Sequence, residues 1–131
     1  MRAIDTNVLV RLLTQDDARQ TEAALAFTAN GAWVSHLVLV EAMWVLDARY
    51  ELTRSKQATA LSMLLQHHDL SIERPDIVER ALTHFRESKG VGFSDCLILE
   101  SARAAGHLPL GTFDRALSRL PGTSRVGGTQ R

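Results

Sequence analysis

The sequence predicts an α/β fold of three layers: a short, mainly parallel sheet of four to five strands, flanked by helices on both faces. Three observations predict it. Apolar runs of strand length alternate with longer segments whose apolar residues recur every three to four positions. Parallel strands need crossover connections, and a helix after each strand supplies them. No internal repeat, linker or low-complexity stretch interrupts the pattern, so the 131 residues read as one domain over 1–126 with a flexible tail at 127–131.

Arg2 to Asp5 reads as the first strand, and Thr6 to Leu13 as a short helix with Val8, Leu9, Leu12 and Leu13 apolar. Gln15-Asp16-Asp17 turns into a second helix that ends at Asn30-Gly31, with Ala23, Ala24 and Phe27 at helical spacing. Ala32 to Ser35 is a second strand. Ser35 is a suitable N-cap for the apolar helix Leu37 to Tyr50, and Thr53 for the helix Arg54 to His68. Leu70 to Glu73 is a third strand. Pro75 suits the first turn of a helix bearing Ile77, Val78, Ala81, Leu82 and Phe85 on one face. Gly90 and Gly92 stop it. Ser94 caps a helix to Ala105 that Gly106 ends. Leu108 to Thr112 is a fourth strand, Asp114 to Leu120 a last helix, and Ser124 to Val126 an edge strand.

Composition excludes several classes. With 45% hydrophobic and 23% charged residues the chain is globular. No apolar run approaches the roughly 20 residues that span a bilayer, and the N-terminal segment, with Asp5 inside it, does not resemble a signal peptide. Cys96 is the single cysteine, which excludes an internal disulfide and fits a cytoplasmic setting. Net charge is zero, yet residues 115–131 carry four arginines and no acid. Of the fifteen basic residues thirteen are Arg, the side chain whose planar fork suits phosphate oxygens.

Most acids fall on polar helix faces or in turns. Four do not. Asp5 ends a strand, where it can cap the next helix or hold a ligand. Glu41 has Leu37, Val38, Trp44 and Val45 as its neighbours at three and four residues, and an enclosed carboxylate there needs a partner or must neutralise. Asp95 lies in the first turn of a helix whose cap role Ser94 already fills, so dipole stabilisation explains it less completely. Glu100 falls elsewhere on that helix and reads as ordinary. Asp114 follows the fourth strand and can cap the last helix. In a parallel sheet, positions just past the strand ends gather at one edge, where such sheets bind ligands. Four carboxylates cannot stay ionised together without a cation. Hard oxygen donors select Mg²⁺ or Mn²⁺ over zinc, and such a site can hold a phosphate and activate water for in-line attack.

Other features have simpler readings. His36, His67, His68, His84 and His107 show no zinc spacing, Cys96 reads as a small buried hydrophobe, and Trp44 as core. Gly90-Val91-Gly92 is a loop, not a phosphate-cradling fingerprint.

The stretches Asp5-Thr6-Asn7-Val8-Leu9-Val10-Arg11, Leu39-Val40-Glu41 with Trp44-Val45-Leu46, Phe93-Ser94-Asp95-Cys96 and Thr112-Phe113-Asp114 together resemble a PIN-domain ribonuclease, specifically a VapC-type toxin of a bacterial toxin–antitoxin pair. The resemblance spans almost the whole domain in the family's order. It implies a magnesium-dependent endoribonuclease in which Asp5, Glu41, Asp95 and Asp114 form an acidic tetrad. Asp5 and Asp95 are then the direct ligands, and Glu41 and Asp114 act through water or a second ion. Thr112 matches the hydroxyl residue lining the family's site, and Thr6 and Asn7 belong to its first motif. Arg11 and Arg115, close behind motif acids, are the candidates for contact with the RNA backbone. The resemblance also implies a cognate antitoxin that places a basic side chain in the acidic pocket, and a homodimer, for which the apolar helices from Leu37 to His68 are the candidates. Two alternatives stay open: a PIN nuclease of RNA processing or DNA repair outside any toxin pair, and a non-catalytic binding module.

Overall fold

The structure is a computed structural model and describes residues 1–127. The tail expected at 127–131 lies, apart from Gly127, outside the described residues. Backbone contacts divide the chain into two compact units, Met1–Pro75 and Asp76–Arg131.

The first unit runs β1 (Arg2–Ala3), α1 (Thr6–Thr14), α2 (Ala18–Thr28), β2 (Ala32–Val34), α3 (His36–Tyr50), α4 (Arg54–Gln66) and β3 (Leu70–Ile72). Its strands form one parallel sheet in the order β1-β2-β3, with Arg2 opposite Ala32 and Ala32 opposite Leu70. The strands are shorter than expected. Asp5 and Ser35 leave the ladder because each has turned to cap the helix that follows. Ala32 and Val34 are buried while Trp33 between them is partly exposed, the period of two of a strand. α1 packs on both α2 and α3, placing Leu9 and Val10 with Leu39, Met43 and Leu46 in the core. Each such leucine, fully enclosed, contributes about 1.5–3 kcal/mol.

The caps largely follow the sequence. Ser35 Oγ accepts from the Val38 N–H at 3.1 Å, and Thr53 Oγ1 from the Lys56 N–H at 3.2 Å. Asp17 opens α2 by accepting from the Gln20 N–H at 3.0 Å.

The second unit holds α5 (Pro75–Glu87), α6 (Phe93–Ala105), β4 (Leu110–Thr112), a 3₁₀ turn at Leu117–Arg119 and β5 (Thr123–Arg125). β4 and β5 pair in parallel as a ladder of their own, Leu110 opposite Thr123, so the five strands form two parallel ladders in place of one sheet. Ile77, Val78, Ala81, Leu82 and Phe85 are all buried, as their spacing on α5 predicts. Phe85 meets Phe93 edge to face, with centroids 6.1 Å apart.

Two expectations fail here. Ser94 does not cap α6: the cap position is Gly92, without a side-chain hydrogen bond, and Ser94 lies inside the first turn. The helix expected from Asp114 to Leu120 is only a turn and a 3₁₀ segment, a stretch that Pro121-Gly122 cuts off before an α-helix can propagate.

Candidate functional site

Each unit positions two of the four acids. In the first, Asp5 is the N-cap of α1, and its Oδ1 accepts from the Val8 N–H at 3.1 Å. The next residue reaches across to α3: Thr6 Oγ1 donates to Glu41 Oε1 at 3.0 Å. One hydroxyl thus ties Glu41 to the turn that presents Asp5. Asn7 follows, exposed.

Glu41 is not enclosed, contrary to the expectation from its neighbours. It is exposed, and so are Leu37 at 68% and Trp44 at 59%. The buried stripe of α3 is Leu39, Ala42, Met43 and Leu46. Trp44 is therefore not core.

In the second unit, Asp95 is the third residue of α6 and half-buried, with its near neighbours Cys96 and Leu99 fully enclosed. Asp114 follows β4 and closes a tight turn. Its Oδ1 accepts from the Leu117 N–H at 2.9 Å, and its own N–H donates to Thr112 Oγ1 at 3.0 Å. Thr112 therefore orients the backbone that carries Asp114. Burial pushes the Asp95 carboxyl above the usual aspartate range, and the negative charge of Asp114 pushes it further.

Among the described residues none of the four acids has an ion pair, and no group of three or more His, Cys, Asp or Glu is gathered to hold a metal ion. The two arginines differ. Arg11 is engaged: it donates to Gln20 Oε1 at 2.6 Å, to Asp16 Oδ1 at 2.6 Å and to the Tyr50 hydroxyl at 3.3 Å. The Tyr50 hydroxyl, then that of Thr14, holds Asp16 below its ordinary range. Arg115 is exposed.

A family model of the PIN domain matches residues 3–122. The chain belongs to the PIN domain family. No curated protein matched it. PIN domains are generally nucleases, which supports a hydrolase acting on nucleic acids, and they typically use divalent metals. The donors of this PIN domain suit such an ion. Asp95 and Asp114 are hard oxygen donors whose mutual repulsion no neighbouring cation relieves among the described residues. Mg²⁺ binds through one or two carboxylates while keeping several waters, so a cage of three protein ligands is not required.

One charged cluster of this PIN domain escaped sequence reasoning. Glu100 is buried, its side chain 2% exposed, and Oε2 meets His84 Nε2 at 2.9 Å and accepts from Arg103 Nε at 3.2 Å. Arg103 also donates to the Pro121 carbonyl at 2.8 Å. The cluster joins α5, α6 and the turn before β5. Arg103 at i+3 was the available signal; His84, sixteen residues back on another helix, gave none.

Proposed function

We propose that this PIN domain is a Mg²⁺-dependent endoribonuclease that hydrolyses RNA phosphodiester bonds and serves as the toxin of a type II toxin–antitoxin pair, with Mn²⁺ able to substitute. The observation that carries the reading is the Asp95–Asp114 pair: half-buried Asp95 is pushed toward its neutral form first by burial and then by the negative charge of Asp114. Asp5 and Asp95 would hold the ion directly, and Glu41 and Asp114 through water or at a second ion. When bound, Mg²⁺ supplies electrostatic stabilisation of the charge that builds on the phosphoryl oxygens during in-line displacement. The chain's own part is orientation. Thr6 fixes one oxygen of Glu41, Thr112 fixes the turn of Asp114, and the capping bond to Val8 fixes Asp5. Exposed Arg115 is suited to the RNA backbone; Arg11 would first have to leave Asp16.

An acidic pocket without its cation attracts a basic side chain, which is how an antitoxin would silence it. Leu37 and Trp44 on α3 and Met63 on α4, all exposed, are the surface for a homodimer. A cytoplasmic setting fits the lone, buried Cys96. A nuclease of RNA processing or DNA repair is the second reading. Zero net charge favours it over a broad RNA degrader, since non-specific grip comes from neutralising phosphates.

The test is incubation of the purified protein with structured RNAs and Mg²⁺, beside EDTA controls and Asp95→Asn. Cleavage lost on chelation and in the variant supports the reading. Cleavage that survives both overturns the metal mechanism.

A further inference from the structure

A groove of about 380 Å³ runs between α1 and α2. Asp5 and Asn7 stand at one end, Val8 and Phe27 form apolar walls, and Arg11 and Gln20 close the other end through their 2.6 Å hydrogen bond. The volume lies near the lower end of the range for small-molecule pockets. Phe27 is 38% exposed, a large share for an aromatic ring lining a concave wall. The Arg2 guanidinium lies 3.8 Å from the ring centroid, and Arg2 also donates to the Phe27 carbonyl at 3.2 Å, so the ring is held in place from the strand side. The Asn7 amide, both donor and acceptor, makes no hydrogen bond among the described residues.

We infer that this groove is a nucleobase subsite, which receives the base of a nucleotide neighbouring the phosphate held at Asp5. The inference rests on the nuclease reading above, because Asp5 sets where the phosphate lies. An RNA strand engaged at Asp5 must direct its adjoining bases along the surface next to it, and the groove begins at that residue. A flat ring between apolar walls takes a base by stacking, the sequence-tolerant part of single-strand recognition. The Asn7 amide can read one edge of that base, and the Arg2 guanidinium beside the ring can meet its phosphate. A volume of about 380 Å³, with Arg11 bonded to Gln20 in its lining, suits a small ligand such as one base and disfavours the helix of a protein partner as occupant, since that needs a long open channel.

The experiment measures binding of a short single-stranded RNA, in Ca²⁺ to slow cleavage, by wild type, Phe27→Leu and Phe27→Trp. A matched series of RNAs each carries one abasic nucleotide. Phe27→Leu keeps an apolar wall and so preserves the fold, which a thermal melt checks. It is expected to bind roughly tenfold more weakly, while Phe27→Trp binds as wild type does. One abasic position should weaken wild-type binding by the same factor and leave Phe27→Leu unaffected. RNA affinity unmoved by Phe27→Leu overturns the subsite, whatever that substitution does to association with a protein. Losses that multiply between the variant and every abasic position overturn it too. Cleavage in Mg²⁺ is scored separately: a Phe27-dependent base contact without any cleavage removes the nuclease and keeps the subsite, and cleavage without the contact does the reverse.

Discussion

Substituting Glu100 by Ala should destabilise this protein more than any change among its four candidate ligands. The substitution removes the carboxylate oxygen that His84 and Arg103 share, at 2.9 and 3.2 Å, from a position 2% exposed. Breaking a buried charge pair by deleting one partner costs roughly 3–5 kcal/mol. His84 and Arg103 are 24% and 37% exposed, so water re-solvates them in part, and Arg103 keeps its bond to the Pro121 carbonyl. The discounted cost is about 2–3 kcal/mol. A chain of 131 residues lies between the size classes for which each kcal/mol shifts Tm by 4–8 °C and by 2–4 °C. A fall of about 6–12 °C is therefore expected at neutral pH. Arg103→Ala, on the more exposed side, should cost about 1 kcal/mol. Thermal unfolding followed by circular dichroism measures both. A Glu100→Ala midpoint within about 2 °C of wild type, or Arg103→Ala as the more damaging change, would refute the reasoning.

Asp95→Asn should raise Tm at neutral pH. The folded carboxyl titrates above its unfolded value, so between the two values the native state binds more protons, and stability falls as pH rises through that window. Asparagine escapes this loss, so the gap should close in acid; melts across pH check it, and a variant less stable than wild type at pH 7 contradicts it. Ser35→Ala removes the 3.1 Å cap of α3 and should cost about 1 kcal/mol in urea unfolding, with Ser35→Asp close to wild type. An unchanged midpoint for Ser35→Ala would show that α3 is held by packing alone.

Where a residue's environment is set by its own segment, the sequence was readable. Ser35 and Thr53 are caps because a hydroxyl before an apolar run has a nearby N–H to accept from, and both do so. The buried face of α5 follows from its spacing. Glu41 was misjudged because α3 is apolar on several sides, and no periodicity told the enclosed stripe from the one bearing Leu37 and Trp44. Glu100 was misjudged for the opposite reason. Its burial depends on His84 from another helix, a tertiary pairing that local spacing cannot reveal. The separate β4–β5 ladder likewise depends on long-range register, to which three-residue strands contribute little signal.

The bond from Asp5 to the Val8 N–H gives the carboxylate one occupation, and the function proposed above would give it a second. A chain that lost its chemistry would still need an oxygen at position 5 to start α1. Asparagine caps about as well as aspartate but carries no charge. Position 5 is therefore where inactivity and intact folding can coexist one substitution apart. Asp5→Asn separates the two occupations, whereas Asp5→Ala would confound a frayed helix with a missing ligand. A lineage drifting away from nuclease activity would be expected to pass through asparagine first, keeping its architecture while losing its trade.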